Sequence, residues 1–159
     1  MDLPTHPPFV HLPLALAVLL PLLIAGLAWL VWRKRAGRPA WLLVVGLQVM
    51  LAGSAMVATI TGEADGHRVE QVTGRGPLDA HEDAAQFFLL AAVLTLGLLV
   101  AGVAMTERAL ALTLAAGVVA LVTAGLGVRT GYRGGELVYK HGAATAHDMY
   151  APPKRAAPD

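Results

Sequence analysis

The stretch ALALTLAAGVVALVTAGLGV, residues 109–128, runs without a single charged side chain. Crossing the hydrocarbon core of a bilayer takes roughly 20 apolar residues of helix, so this segment reads as a membrane span. Three further runs have the same character: Phe9–Trp32, Ala40–Thr61 and Ala84–Met105. Only 14% of the 159 residues are charged and 56% are hydrophobic, whereas a soluble domain carries about 25% charge. The sequence therefore predicts an all-α protein, an integral membrane four-helix bundle. Four spans bring both termini to the same side.

Within 109–128 the small residues follow a helical stripe: Ala109, Thr113, Ala116, Ala120, Thr123, Ala124 and Gly127. Small residues let membrane helices approach closely. Ser54 with Ala58, and Ala55 with Thr59, give the second span a similar face. These faces are expected to form the bundle interior. Gln48 and Gln86 read as interhelical hydrogen-bonding groups rather than ligands.

Working outward, the domain plan is a segment 1–8, a domain 9–130 with helices at about 9–32, 40–61, 81–105 and 108–129, and an extramembrane tail 131–159. Pro13 and Pro21 lie in the first span, where proline removes a backbone donor. The short turns RKRAGR (33–38) and TER (106–108) make helices one and two, and three and four, antiparallel hairpins. Trp29, Trp32 and Trp41 flank the first turn, where an aromatic belt sits. Residues 62–80 read as a polar loop. DAHE (79–82) reads as a capping box that opens the third helix, and GGELVYKHG (134–142) as a turn or lid outside the membrane.

The two short turns hold Arg33, Lys34, Arg35, Arg38 and Arg108 against Glu107 alone. By the positive-inside rule they are cytoplasmic. The termini and the 62–80 segment are then periplasmic or extracellular, and the protein is a multi-pass protein of the bacterial inner (cytoplasmic) membrane. The start, with Asp2 and a long apolar run, does not resemble a cleavable signal, so the first helix is expected to remain.

Several functions are disfavoured. The chain contains no cysteine, which removes disulfides, thiolate iron–sulfur ligation and C-x-x-C-H haem attachment. No basic patch suggests nucleic acid. No hydrolase motif is present, and the spans lack the ionisable residues that mark a transport path.

Histidine is the chemistry-bearing residue. His6, His11, His67, His81, His141 and His147 all fall on the side of the termini. His11 and His81 open the first and third spans, which run parallel, so both are expected at one depth at the outer rim. His141 follows the fourth span and could fold back over it. Imidazole ligates haem iron, copper and zinc. His11 and His81 could be the axial ligands of one b-type haem, with Arg129 on a propionate. His11, His81 and His141 could instead hold a copper or zinc ion. A quinone headgroup suits the same depth. The plainer readings are an interfacial His11, a His81 decorating a helix start, a snorkelling Arg129, and no cofactor at all. Asp79, Glu82 and Asp83 most simply favour a helix N-terminus.

HPPFVHLPLAL at the start, HEDAAQ in the third span and GGELVYKHG after the fourth resemble the four-span bacterial membrane proteins catalogued as domain of unknown function 2231, over roughly residues 6–142. The matching positions are His6, Pro7, His11, Pro13, His81, Gly135, Val138, Tyr139 and Gly142. The resemblance implies a four-helix membrane domain, and relatives joined to Rieske or cytochrome c modules imply respiratory electron transfer. This chain carries no such module, so its redox partner would be the quinone pool, a periplasmic redox carrier or a respiratory complex. The expected function is a membrane subunit that binds a redox cofactor or metal at the outer face. The alternative is a cofactor-free structural or anchor subunit rather than a stand-alone enzyme.

Overall fold

The structure is a computed structural model and describes residues 9–146. Four helices make up the fold: α1 His11–Trp32, α2 Trp41–Thr73, α3 Arg75–Ala104 and α4 Ala109–Tyr139. Short 3₁₀ turns lie at Arg38–Ala40, Thr106–Arg108 and Ala143–Ala146. The helices form a ring in chain order, each against the next and α4 back against α1. The parallel pair α1 and α3 therefore stands on one diagonal, and α2 and α4 stand on the other.

All four helices are long and apolar enough to span a membrane. Their outer faces expose leucine, valine and phenylalanine throughout, as at Leu22, Leu43, Leu90 and Leu121. In water this surface would aggregate, whereas in lipid it is the solvated surface. Because lipid is as apolar as leucine, close packing and interhelical hydrogen bonds hold the helices together. The core contains Leu16, Leu20, Ile24, Leu51, Phe88 and Leu99, with alanines at 92, 116 and 120 where helices meet. Gln48, fully buried, donates from Nε2 to the Ala92 carbonyl at 2.8 Å, linking α2 to α3. Thr95 and Thr123 meet between α3 and α4 with hydroxyl oxygens 3.4 Å apart, and each hydroxyl also donates to a carbonyl of its own helix. The predicted stripe on α4 is the interior face, with Ala116, Ala120, Thr123 and Gly127 buried.

At the turn end the hairpins are level. The Arg38 guanidinium donates to the Val103 carbonyl in the last turn of α3, a favourable place for a cation. Trp29 and Trp32 are exposed as a belt requires, but Trp41 turns inward and is buried. Aromatic character alone did not reveal which side of the helix faced the core.

The other end departs from the sequence expectation. α1 has 22 residues, about 33 Å at 1.5 Å per residue. α2, α3 and α4 have 33, 30 and 31, about 45–50 Å each. Since the turn ends are level, the excess rises at the opposite end. Residues 62–80 are thus not a loop: α2 continues to Thr73 and α3 begins at Arg75, with only Gly74 between them. Gly74 has φ +75° and ψ 165°, a conformation essentially restricted to glycine, and it turns the chain in a single residue. The capping box at 79–82 does not form, since α3 has begun four residues earlier and Asp79 pairs with Arg75 at 3.7 Å. Of GGELVYKHG, residues through Tyr139 belong to α4 rather than to a separate tail segment. Once nucleated, a helix propagates through good formers such as Glu, Arg and Gln without needing an apolar run.

Candidate functional site

Three glycines shape the tall end of the bundle. A Cβ at Gly127 would stand 3.1 Å from Phe88 and 3.3 Å from Leu14. Glycine here lets α1 and α3 close over α4 in one layer, although α1 and α3 lie on a diagonal. One heptad further along the same antiparallel seam, a Cβ at Gly134 would stand 3.2 Å from the His81 ring. Ring on glycine thus occurs twice, seven residues apart on each helix. On the α2 side, a Cβ at Gly66 would lie 3.4 Å from a Glu82 carboxylate oxygen.

Above the Leu14–Phe88–Gly127 layer the bundle opens into a cavity of about 560 Å³ bordered by all four helices. α1 contributes only Pro13 and Leu14 of its first turn, with Val10 just ahead of it. Ala55, Ala58, Gly62, Gly66, Gly131, Gly134 and other small residues form much of the wall, and Ala143 and Ala144 of the last 3₁₀ turn cover it. The lining is mostly apolar, with polar groups from His81, Glu82, Glu63 and Asp65. His81 and Glu82 are both half-buried. Glu82 stands among the carboxylates of Asp79, Glu63, Asp83 and Glu70, so acidic groups gather around it.

The residues singled out from the sequence are dispersed. His81 borders the cavity. His11 is exposed at the start of α1 and does not line it. His141 is exposed beside a second cavity of about 480 Å³, formed on the α3–α4 face by Gly76, Pro77, Arg133, Glu136 and Lys140. Arg129 is exposed on α4 and lines neither. Similar depth, inferred from two helix starts, did not fix the direction in which each side chain points. Among the described residues no three of His, Cys, Asp or Glu are grouped to hold a metal ion, so the three-histidine metal centre is not assembled. Of the two histidines expected as an axial haem pair, His81 borders the cavity and His11 does not. His67 lies on the exposed side of α2, its Nε2 3.2 Å from Gln71. His6 and His147 lie outside the described residues.

In the second cavity Glu136 is shared by Arg133 at 3.0 Å and Lys140 at 2.6 Å. The hydrogen bond that the Lys140 ammonium donates to Glu136 holds it above its ordinary pKa. These ion pairs tie successive turns at the end of α4.

What the sequence reading missed were Gly66 and Gly134, read as loop and turn residues. For Gly66 the signal was present: Ala58, Gly62, Gly66, Val69 and Thr73 continue one helical face beyond the apolar run.

The chain matches the family described as predicted membrane protein, domain of unknown function 2231, over residues 2–147, and it belongs to that family. No curated protein matches it, and no solved structure does.

Proposed function

Starting from that membership, we propose that this integral membrane protein is a binding subunit for a quinone-class ring, held in the cavity at the tall end of the bundle and serving respiratory electron transfer. The observation that carries the reading is the cavity itself: about 560 Å³, apolar over most of its wall, with His81 and Glu82 together on one side. Small-molecule sites have volumes of about 300–1,000 Å³, with apolar walls and a few fixed polar groups. An imidazole can donate to a quinone carbonyl or accept from a quinol hydroxyl, and a carboxylate can accept the second hydroxyl proton. The redox partner, a periplasmic carrier or a respiratory complex, is a separate polypeptide. The positive-inside count supports a cavity on the periplasmic side of the inner membrane.

The haem reading is less well supported, because only one of its two axial histidines borders the cavity. The cofactor-free anchor reading rests on exposed apolar faces, which every multi-span protein has.

The test is titration of the purified protein in detergent with a short-chain benzoquinone, alongside a reduced-minus-oxidised spectrum and metal analysis. The expected result is saturable binding at one site, weakened about tenfold by His81→Ala, the equivalent of one hydrogen bond near 1.4 kcal/mol. A haem α-band lost in His81→Ala would replace the quinone by haem. No saturable binding and no cofactor would leave the anchor reading.

A further inference from the structure

The two ends of the bundle differ in what answers their positive charges. At the tall end Arg75 pairs with Asp79, and Arg133 and Lys140 share Glu136. The turn end holds Arg33, Lys34, Arg35, Arg38 and Arg108 against Glu107 alone, and all five cations are exposed. Among the described residues no carboxylate pairs with any of them. Arg38 donates to the Val103 carbonyl, which sets the first turn against the end of α3, five residues before Arg108. The cations of both turns therefore share one face of the molecule. The level of that face is marked by Trp29 and Trp32, exposed on the last turn of α1, where aromatic side chains meet lipid headgroups. The Arg33 guanidinium lies 5.7 Å over the Trp29 ring, so the cations begin at headgroup depth.

Two of these cations stand where the fold by itself favours another residue. α1 closes with the Lys34 N–H on the Val31 carbonyl at 3.0 Å and the Arg35 N–H on the Leu30 carbonyl at 2.8 Å. This pair of bonds needs a left-handed residue between them, and its usual occupant is glycine. Lys34 takes the position with φ 56°, the one residue other than glycine with positive φ among the described residues, although a Cβ is disfavoured there. Arg108 directly precedes α4, and the start of a helix disfavours a cation. Orientation in the membrane requires cations somewhere in a short turn. It does not require one in a glycine position. What Lys34 adds over glycine is an ammonium at the depth of phosphates.

We infer that the turn end selectively binds anionic phospholipid, whose headgroup phosphate is met by Lys34, Arg35 and Arg108. The inference is independent of the cavity at the tall end.

All three tryptophans of the chain, Trp29, Trp32 and Trp41, belong to this end, so their fluorescence reports on it alone. The experiment reconstitutes the full chain in phosphatidylcholine vesicles that contain either phosphatidylglycerol or phosphatidylcholine brominated on its acyl chains, which quenches tryptophan on contact. Both leaflets have the same composition, so the direction of insertion does not matter. Wild type is expected to select brominated phosphatidylglycerol at least about tenfold, since each cation near a membrane surface supplies about fivefold before screening by salt. The triple variant Lys34→Gln, Arg35→Gln, Arg108→Gln should select within about twofold of parity. Lys34→Gly should unfold at a higher temperature than wild type, because glycine suits this backbone, and still select about fivefold less well. Equal quenching by both lipids in wild type overturns the inference, as does selection that survives the triple variant. A stabilised Lys34→Gly that selects as well as wild type also overturns it, since the lysine would then hold no lipid. Inorganic phosphate should displace the brominated phosphatidylglycerol no better than chloride at equal ionic strength. If phosphate displaces it better, the face takes a free anion and the lipid inference falls.

Discussion

The two halves of the bundle use the same seam differently. At the membrane centre α3 and α4 meet through Thr95 and Thr123, with Ala92, Ala116 and Ala120 around them, and the space is closed. Toward the tall end the seam pairs rings with glycines, Phe88 on Gly127 and His81 on Gly134, and α1 has its first residue, His11, below the tops of the other three helices. In the centre, small residues bring four helices together. At the end, small residues with one short helix leave room for something else. A stripe of small residues is thus packing where all four helices run side by side and a cavity wall above the start of α1.

The sharpest way to break this contrast is at the boundary layer. Gly127→Val adds atoms where a Cβ already stands 3.1 Å from Phe88. Overpacking of this kind costs about 3 kcal/mol, and α1 should be displaced. Unfolding in mixed micelles would show it, and a stability near wild type would mean the floor of the cavity is soft. A smaller loss is expected from Gly74→Ala. Alanine at φ +75° and ψ 165° is strained by about 2 kcal/mol. The loss should be concentrated in the tall half, visible as faster amide exchange in 62–80 while the centre stays protected. Uniform exchange would show that the two halves unfold together. The smallest change expected is Gln48→Leu. It removes the 2.8 Å bond to the Ala92 carbonyl at a cost of about 0.6 kcal/mol, typical of interhelical bonds in membranes. A loss of several kcal/mol would mean that polar ties, rather than close packing, close the centre.

The four spans, the two hairpins and the inward face of α4 were legible because each depends on local signals. Those signals are twenty apolar residues, a short charged turn, and small side chains at helical spacing. The extensions of α2, α3 and α4 beyond the apolar runs were less legible. Outside lipid a helix needs no continuous hydrophobicity, and glycines 62, 66, 134 and 135 resemble turn residues. The proposed histidine cluster failed for a related reason. His11 opens α1, but His81 lies two turns inside the parallel α3, which begins at Arg75; the two helices stand on a diagonal and His11 is exposed.

By itself the sequence determined that this chain is an integral membrane protein built from four helices, and which face of α4 turns inward, since hydropathy and periodicity are properties of one segment at a time. Only the tertiary structure decided the ring order, the closing of Phe88 and Leu14 over Gly127, the seat of His81 on Gly134, and the cavity left above the short α1. Each of these depends on the relative height and facing of two or more helices. That information lies in how side chains from distant segments fill one another's space, and no single stretch of the chain contains it.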